Sequence, residues 1–170
     1  MHDRIAARGA GAIACALLAL APLPALAELI EFQCELTGTS AVPPNDSKAT
    51  GSVVMTLDTD TLSLSYTIRY SGLSGPVTAA HFHGPAAPGT NGRPELPVAS
   101  LSLASPIQGQ ATLSAAKAAD LVRGLWYLNL HDAAYPSGEI RGQLVKRAAV
   151  AAGAKASPAP ADPRANGRSP

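Results

Sequence analysis

Three stretches of two-residue alternation constrain this chain more than anything else in it. Ile30, Phe32, Cys34 and Leu36 alternate with Glu31, Gln33 and Glu35. Ala49, Gly51, Val53, Met55 and Leu57 alternate with Thr50, Ser52, Val54 and Thr56, and Leu62, Leu64, Tyr66, Ile68 and Tyr70 with Ser63, Ser65, Thr67 and Arg69. Successive side chains of a strand point to opposite faces, so each run is a strand with one face fit for a core. The turn-forming residues Asp58 to Thr61 between the second and third runs predict a hairpin. The first run places Cys34 on the apolar face with Phe32 and Leu36, which predicts a buried thiol.

The rest of the chain reads the same way. Strands are expected at Val77–His83, Val98–Leu103, Ile107–Leu113, Leu125–His131 and Glu139–Val145, with a Gly- and Pro-rich loop from Gly84 to Pro97 that contains the Asn91-Gly92 turn signal. Ala115–Arg123 is the one helix-favouring stretch, with Ser114 placed to cap its start and Gly124 its end. About eight short strands and one short helix, joined by turn-rich connections, predict an all-β fold, an antiparallel β-sandwich or barrel.

The two ends differ from this middle. Arg4 and Arg8 precede an apolar run from Gly9 to Leu23, and Ala25 and Ala27 stand just before Glu28. That is the pattern of a secretory signal peptide over residues 1–27, cut after Ala27. The run is shorter than the roughly 20 apolar residues that span a bilayer, so no transmembrane segment is expected once the leader is removed. Residues 148–170 are mostly Ala, Pro and Gly with scattered charges, too few large apolar groups to offset the entropy of ordering, and read as a disordered tail. The folded unit is expected at residues 28–147, in a periplasmic or secreted protein. Lys and Arg number 13 against 12 Asp and Glu. A balance this even, without a basic cluster, sets nucleic acid aside as a partner. No Ser/His/Asp order, phosphate loop or paired-carboxylate pattern marks a catalytic centre.

Outside the leader the histidines are His81, His83 and His131. Residues i and i+2 of a strand share a face with Cα atoms about 6.6 Å apart, near enough for His81 and His83 to converge on one ion. If Phe82, Trp126, Leu128 and Leu130 fill the core, then His81, His83, Tyr127, Asn129 and His131 emerge together on the outer surface. Neutral imidazole suits copper and zinc, and three such ligands make one mononuclear site with an open position. Asn129, Asp132, Glu139 and Arg141 are candidates for the groups around it: Asp132 as an acceptor fixing the ring of His131, or else as the start of the following loop, and Glu139 with Arg141 as a neighbouring solvated ion pair. The plainer alternative is that each histidine is a solvated or hydrogen-bonded strand residue.

The run His81, Phe82, His83, Gly84, Pro85, Ala86, followed by Leu125 to His131 and then by Ala134, Tyr135, Pro136, Ser137, Gly138, Glu139, Ile140, Arg141, Gly142, Gln143 and Leu144, resembles the CHRD domain. That domain is named for its repeats in chordin and also occurs in secreted bacterial proteins. The resemblance runs from Phe32 to Val145. It implies an immunoglobulin-like Greek-key barrel or sandwich, distantly similar to copper/zinc superoxide dismutase. In that likeness Gly72, Leu73 and Gly75 leading into His81 to Gly84 resemble the dismutase strand with two copper ligands, His131 resembles a later ligand, and Arg141 the arginine that steers an anion. No histidine remains to bridge two metals, and one cysteine cannot make the dismutase disulfide.

These readings together predict an extracytoplasmic, non-enzymatic module that binds copper or another transition metal through His81, His83 and His131. An extracytoplasmic protein-interaction module with structural histidines is the alternative, and a minimal copper redox enzyme a third.

Overall fold

The computed structural model describes residues 28–98 and 102–147, so the expected leader and tail lie outside the described residues. The elements follow in the order β1 (Leu29–Thr37), a 3-10 turn (Gly38–Ser40), β2 (Thr50–Asp58), β3 (Ser63–Ser71), β4 (Ala79–His83), β5 (Pro94–Pro97), β6 (Ile107–Thr112), α1 (Ala115–Val122), β7 (Tyr127–His131), β8 (Ile140–Gln143) and β9 (Val145–Lys146). Among the described residues no helix is long and apolar enough to cross a membrane.

The three alternating runs become β1, β2 and β3, paired antiparallel in one register. Phe32 faces Met55 and Cys34 faces Val53 across the first pair, and Met55 faces Tyr66 and Val53 faces Ile68 across the hairpin. Because cross-strand partners share a face, the three apolar sets merge into one patch. Phe32, Leu36, Val53, Met55, Leu57, Leu64 and Ile68 are all but sealed from solvent.

All pairing is antiparallel, in a single sheet of order β5-β4-β7-β8-β1-β2-β3-β6, with β9 beside β1. Five strand spacings separate β4 from β3, which would hold them about 24 Å apart in a flat sheet. Yet the rings of Phe82 on β4 and Tyr66 on β3 meet edge to face with centroids 5.1 Å apart. The sheet therefore curls into a half-barrel around its own apolar face. Phe82, Trp126, Leu128, Leu130 and Ile140 come from one half of it and the hairpin residues from the other. Burying a side chain such as Phe82 stabilises by about 1.5–3 kcal/mol, and that gain is available only if the sheet closes.

Three elements differ from the expected pattern. β5 lies inside the segment expected as loop, bounded by Pro94 and Pro97, which an edge strand tolerates because one side of its backbone needs no partner. The strand expected at Val98–Leu103 is not found in the residues of it that are described. Val98 is buried and donates its N–H to the Ala80 carbonyl, Ser102 and Leu103 are irregular, and 99–101 lie outside the described residues. The last expected strand is split at the buried Leu144, whose N–H turns to the Trp126 carbonyl. The helix forms as predicted, with the Ser114 hydroxyl accepting the Lys117 N–H, Ala118 and Leu121 buried, and Gly124 at φ 75° just past the end.

The outer face of β4, β7 and β8 is not bare. The connections after β1, after β4 and after β7 fold back over it and are held by bonds to it, among them Arg141 Nη2 to the Thr90 carbonyl (2.8 Å) and Asn129 Nδ2 to the Ser137 carbonyl (3.0 Å). Polar side chains that strand periodicity assigned to solvent are thereby covered.

Candidate metal centre

β4 and β7 pair with Ala79 opposite His131, His81 opposite Asn129 and His83 opposite Tyr127. This register sets His131 diagonally across from His81. The imidazole centroids lie 5.8 Å apart for His81 and His83, 5.5 Å for His81 and His131, and 6.2 Å for His83 and His131. One ring nitrogen from each residue falls within 4.8 Å of the other two. The inward set is as expected, with Phe82, Trp126, Leu128 and Leu130 all in the core. The outer set is not surface, however: His83, Tyr127 and Asn129 are buried under the loops, and His81 and His131 are partly covered.

The loops also decide which nitrogen faces the cluster. Nδ1 of His83 lies 3.0 Å from the Gly92 carbonyl oxygen, and Nδ1 of His131 lies 3.0 Å from that of Pro136. A carbonyl only accepts, so both Nδ1 atoms carry the proton and both Nε2 atoms keep a free lone pair. Those two Nε2 atoms are buried and have no hydrogen-bond partner among the described residues. Among the described residues no hydrogen bond ties the ring of His81. Burial pushes the His83 imidazole below its usual pKa, with His81, His131 and Arg141 adding to the effect and the bond to Gly92 opposing it. Burial, and then His131, lower His81 as well. His81 and His83 are thus biased toward the neutral form, which is the form that can ligate a metal.

The residues fit a metal chemically. Three nitrogens about 2.0–2.1 Å from one tetrahedral ion would stand about 3.3 Å from one another. Separations of up to 4.8 Å therefore need a contraction of up to about 1.5 Å, with His81 moving toward the other two and the rings of His83 and His131 shifting toward each other. Hydrogen-bonded Nδ1 groups behind ligating Nε2 atoms are the usual outer support of such a site.

The neighbours sit differently from expectation. Asp132 does not orient His131; that place belongs to the Pro136 carbonyl. Asp132 is buried, and its Oδ1 accepts the Tyr135 N–H at 2.7 Å, so it shapes the loop after β7. Glu139 and Arg141 are not a solvated pair. Both are buried; Glu139 is bonded by Ser47 and Ser74, and Arg141 reaches the Ser40 and Thr90 carbonyls and lies 3.7 Å over the Tyr127 ring. Asn129 touches the loop rather than the imidazoles, with its amide occupying the space that Gly138, at φ 116°, leaves without a side chain. Cys34 is buried as predicted, and desolvation, then the charge of Glu35, push its thiol up to about 12.

Sequence reasoning missed the carbonyl partners Gly92 and Pro136 and the stack of Tyr127 on His83. Carbonyl acceptors leave no trace in residue type. Tyr127 did carry a signal, since its parity put it on the histidine face.

A family model described as CHRD domain matches residues 32–144, well over half of the chain. The chain belongs to the CHRD domain family. No curated protein and no solved structure matches it. The matched span of this CHRD domain takes in the whole histidine cluster and both loops that fix its tautomers.

Proposed function

We propose that this is an exported CHRD module that binds one copper or zinc ion through Nε2 of His83, Nε2 of His131 and a ring nitrogen of His81. The observation that carries the reading is the pair of buried Nε2 lone pairs, each directed by a carbonyl bond on the opposite ring nitrogen. Leaving buried acceptors unpaired costs about 1–3 kcal/mol each, a cost an ion would recover. The role we propose for the site is to bind the ion. Family membership supports an extracytoplasmic setting, and the leader pattern of residues 1–27 supports export. Intact mass of the secreted protein should place its first residue at Glu28; retention of Met1 would defeat the export reading.

The binding test is a calorimetric titration of copper(II) and zinc(II) into the wild type and into His81→Ala, His83→Ala and His131→Ala, with the fold followed by circular dichroism. One equivalent should bind to the wild type and be lost in all three variants while the fold persists. As pH falls, protons compete for the imidazole lone pairs and binding should fail, at a pH below the ordinary imidazole value of about 6.5 because burial lowers His81 and His83. Wild-type binding no tighter than that of a short histidine peptide, or a loss confined to one variant, would remove the shared site.

A further inference from the structure

Arg141 is 3% exposed, and among the described residues no carboxylate lies within ion-pair distance of it. Its guanidinium has only neutral partners: the Thr90 carbonyl at 2.8 Å, the Ser40 carbonyl at a long 3.4 Å, and the Tyr127 ring face. Its Nε–H is buried without an acceptor among the described residues. A buried cation left uncompensated is costly, and proteins normally supply a counter-charge from within. Here the counter-charge is missing, and Arg141 lines a pocket of about 360 Å³ between the turn after β1 and the loop after β4.

The rest of the lining has its own chemistry. Ala41, Val42, Pro44 and Pro88 make it largely apolar, and Thr39, Ser40 and Gln143 are the polar side chains beside Arg141. Gln143 spends its Nε2 on the Ala86 and Gly124 carbonyls, and its buried Oε1 has no donor among the described residues. None of the three histidines lines this pocket. The size is that of a small-ligand site, apolar with a few fixed polar groups.

We infer that this pocket binds a carboxylate-bearing ligand with a small apolar body, its carboxylate on the Arg141 guanidinium. Guanidinium matches a carboxylate in charge and in planar geometry, which makes it the chemistry that the unpaired group selects. The carboxylate can come from a small organic acid or from the free C-terminus of a peptide. Burial of Arg141 lowers its pKa, in keeping with a cation that lacks a counter-ion.

The test uses metal-free purified protein and three probes followed by calorimetry and amide chemical shifts: acetate, N-acetyl-Ala-Val with a free carboxylate, and the same dipeptide as its amide. The free acid should bind at least about tenfold more tightly than the amide, because a charge-assisted bond is worth about 1.5–3 kcal/mol. Acetate binding as well as the dipeptide identifies a small-acid site, and dipeptide binding more tightly identifies a chain terminus. Arg141→Gln should abolish the preference for the acid. Since Arg141 also ties two loops, Pro88→Trp serves as the second variant, filling the pocket from an exposed position; it should block binding with the fold unchanged. His131→Ala should bind the free acid as the wild type does, which separates this site from the metal centre. Equal binding of acid and amide, undiminished binding in Pro88→Trp, or no binding of either acid would overturn the inference.

Discussion

The imidazole of His83 lies flat against the phenol ring of Tyr127, with the planes 7° from parallel and the centroids 4.9 Å apart. The two residues are cross-strand neighbours on β4 and β7. The Tyr127 hydroxyl also accepts the Gly92 N–H at 3.0 Å, and the Gly92 carbonyl accepts a hydrogen bond from Nδ1–H of His83. Strand, ring and loop thus close a small circuit through Gly92. The direction of the His83 lone pair is set by all three.

That circuit makes Tyr127→Phe informative. The stack survives, while the hydroxyl bond to Gly92 is lost, at a cost of about 1 kcal/mol in unfolding free energy. The Gly92 carbonyl then holds His83 less firmly, and copper or zinc affinity should fall by about tenfold, the lower end of what outer-shell changes produce. Tyr127→Leu removes the stack as well and should lose more of both. Denaturant unfolding of the metal-free protein and calorimetric titration check the two quantities separately. Wild-type affinity in Tyr127→Phe would show that Gly92 does not steer the imidazole.

A second prediction concerns Gly138, whose φ of 116° is disfavoured for residues with a side chain. In Gly138→Ala the added methyl would meet the Asn129 amide, so the loop has to move. The expected cost is about 1–3 kcal/mol, and the displaced Pro136 carbonyl should loosen His131. Melting temperature and metal titration should therefore drop together. A drop in stability alone would show that the loop relaxes without moving Pro136.

The curled sheet was legible because its strong signals are local. Alternation in residues 30–36, 49–57 and 62–70 gives strand, face and hairpin at once, and each of those faces is buried as periodicity requires. Parity also assembled His81, His83 and His131 on one face. What parity cannot supply is the cover. A period-2 pattern says that a side chain points away from the core, and says nothing about a loop packed on top of it. Arg141 and Glu139 therefore read as a surface pair although both are buried, each through its own contacts. β5 was hidden for a related reason: its four residues pair only at an edge and carry two prolines, so composition spoke for loop.

Cys34 leads to a prediction about alkaline pH. Its native pKa, raised from 9.0 to about 12, means that the folded state holds the thiol proton long after the unfolded chain has released it. Below the unfolded value both states are protonated and the full contribution of the buried thiol is present. As pH rises from about 9 toward 12 the unfolded state gains a thiolate that the native state does not, and stability falls. The advantage of the wild type over Cys34→Ala in urea unfolding should therefore shrink between about pH 7.5 and pH 10.5. Native labelling by a thiol reagent should be slow throughout that range. A constant gap between the two proteins, or rapid labelling, would place the thiol in water.

Glu139 gives the last prediction. Its side chain is fully buried and meets no cation among the described residues. The carboxylate accepts from the Ser47 hydroxyl at 2.6 Å, from the Ser74 N–H at 3.1 Å and from the Ser74 hydroxyl at 3.0 Å. It therefore fastens the connection before β2 and the connection before β4 to the start of β8. Glu139→Ala strands a backbone donor and two hydroxyls at once and should cost about 3 kcal/mol or more. Glu139→Gln keeps an accepting oxygen but turns part of the acceptor into a donor, and should cost about 1–2 kcal/mol. Glu139 bonds none of the histidines, and its backbone carbonyl, which holds Asn45 at 3.0 Å, is unchanged by either substitution. Metal affinity in the folded fraction should consequently stay within about threefold of wild type. Unfolding curves and metal titrations on the same preparations test this separation. Wild-type stability in Glu139→Ala would show that the serines find other partners, and a large loss of affinity in Glu139→Gln would show that the two connections, through β8, hold the imidazoles in place.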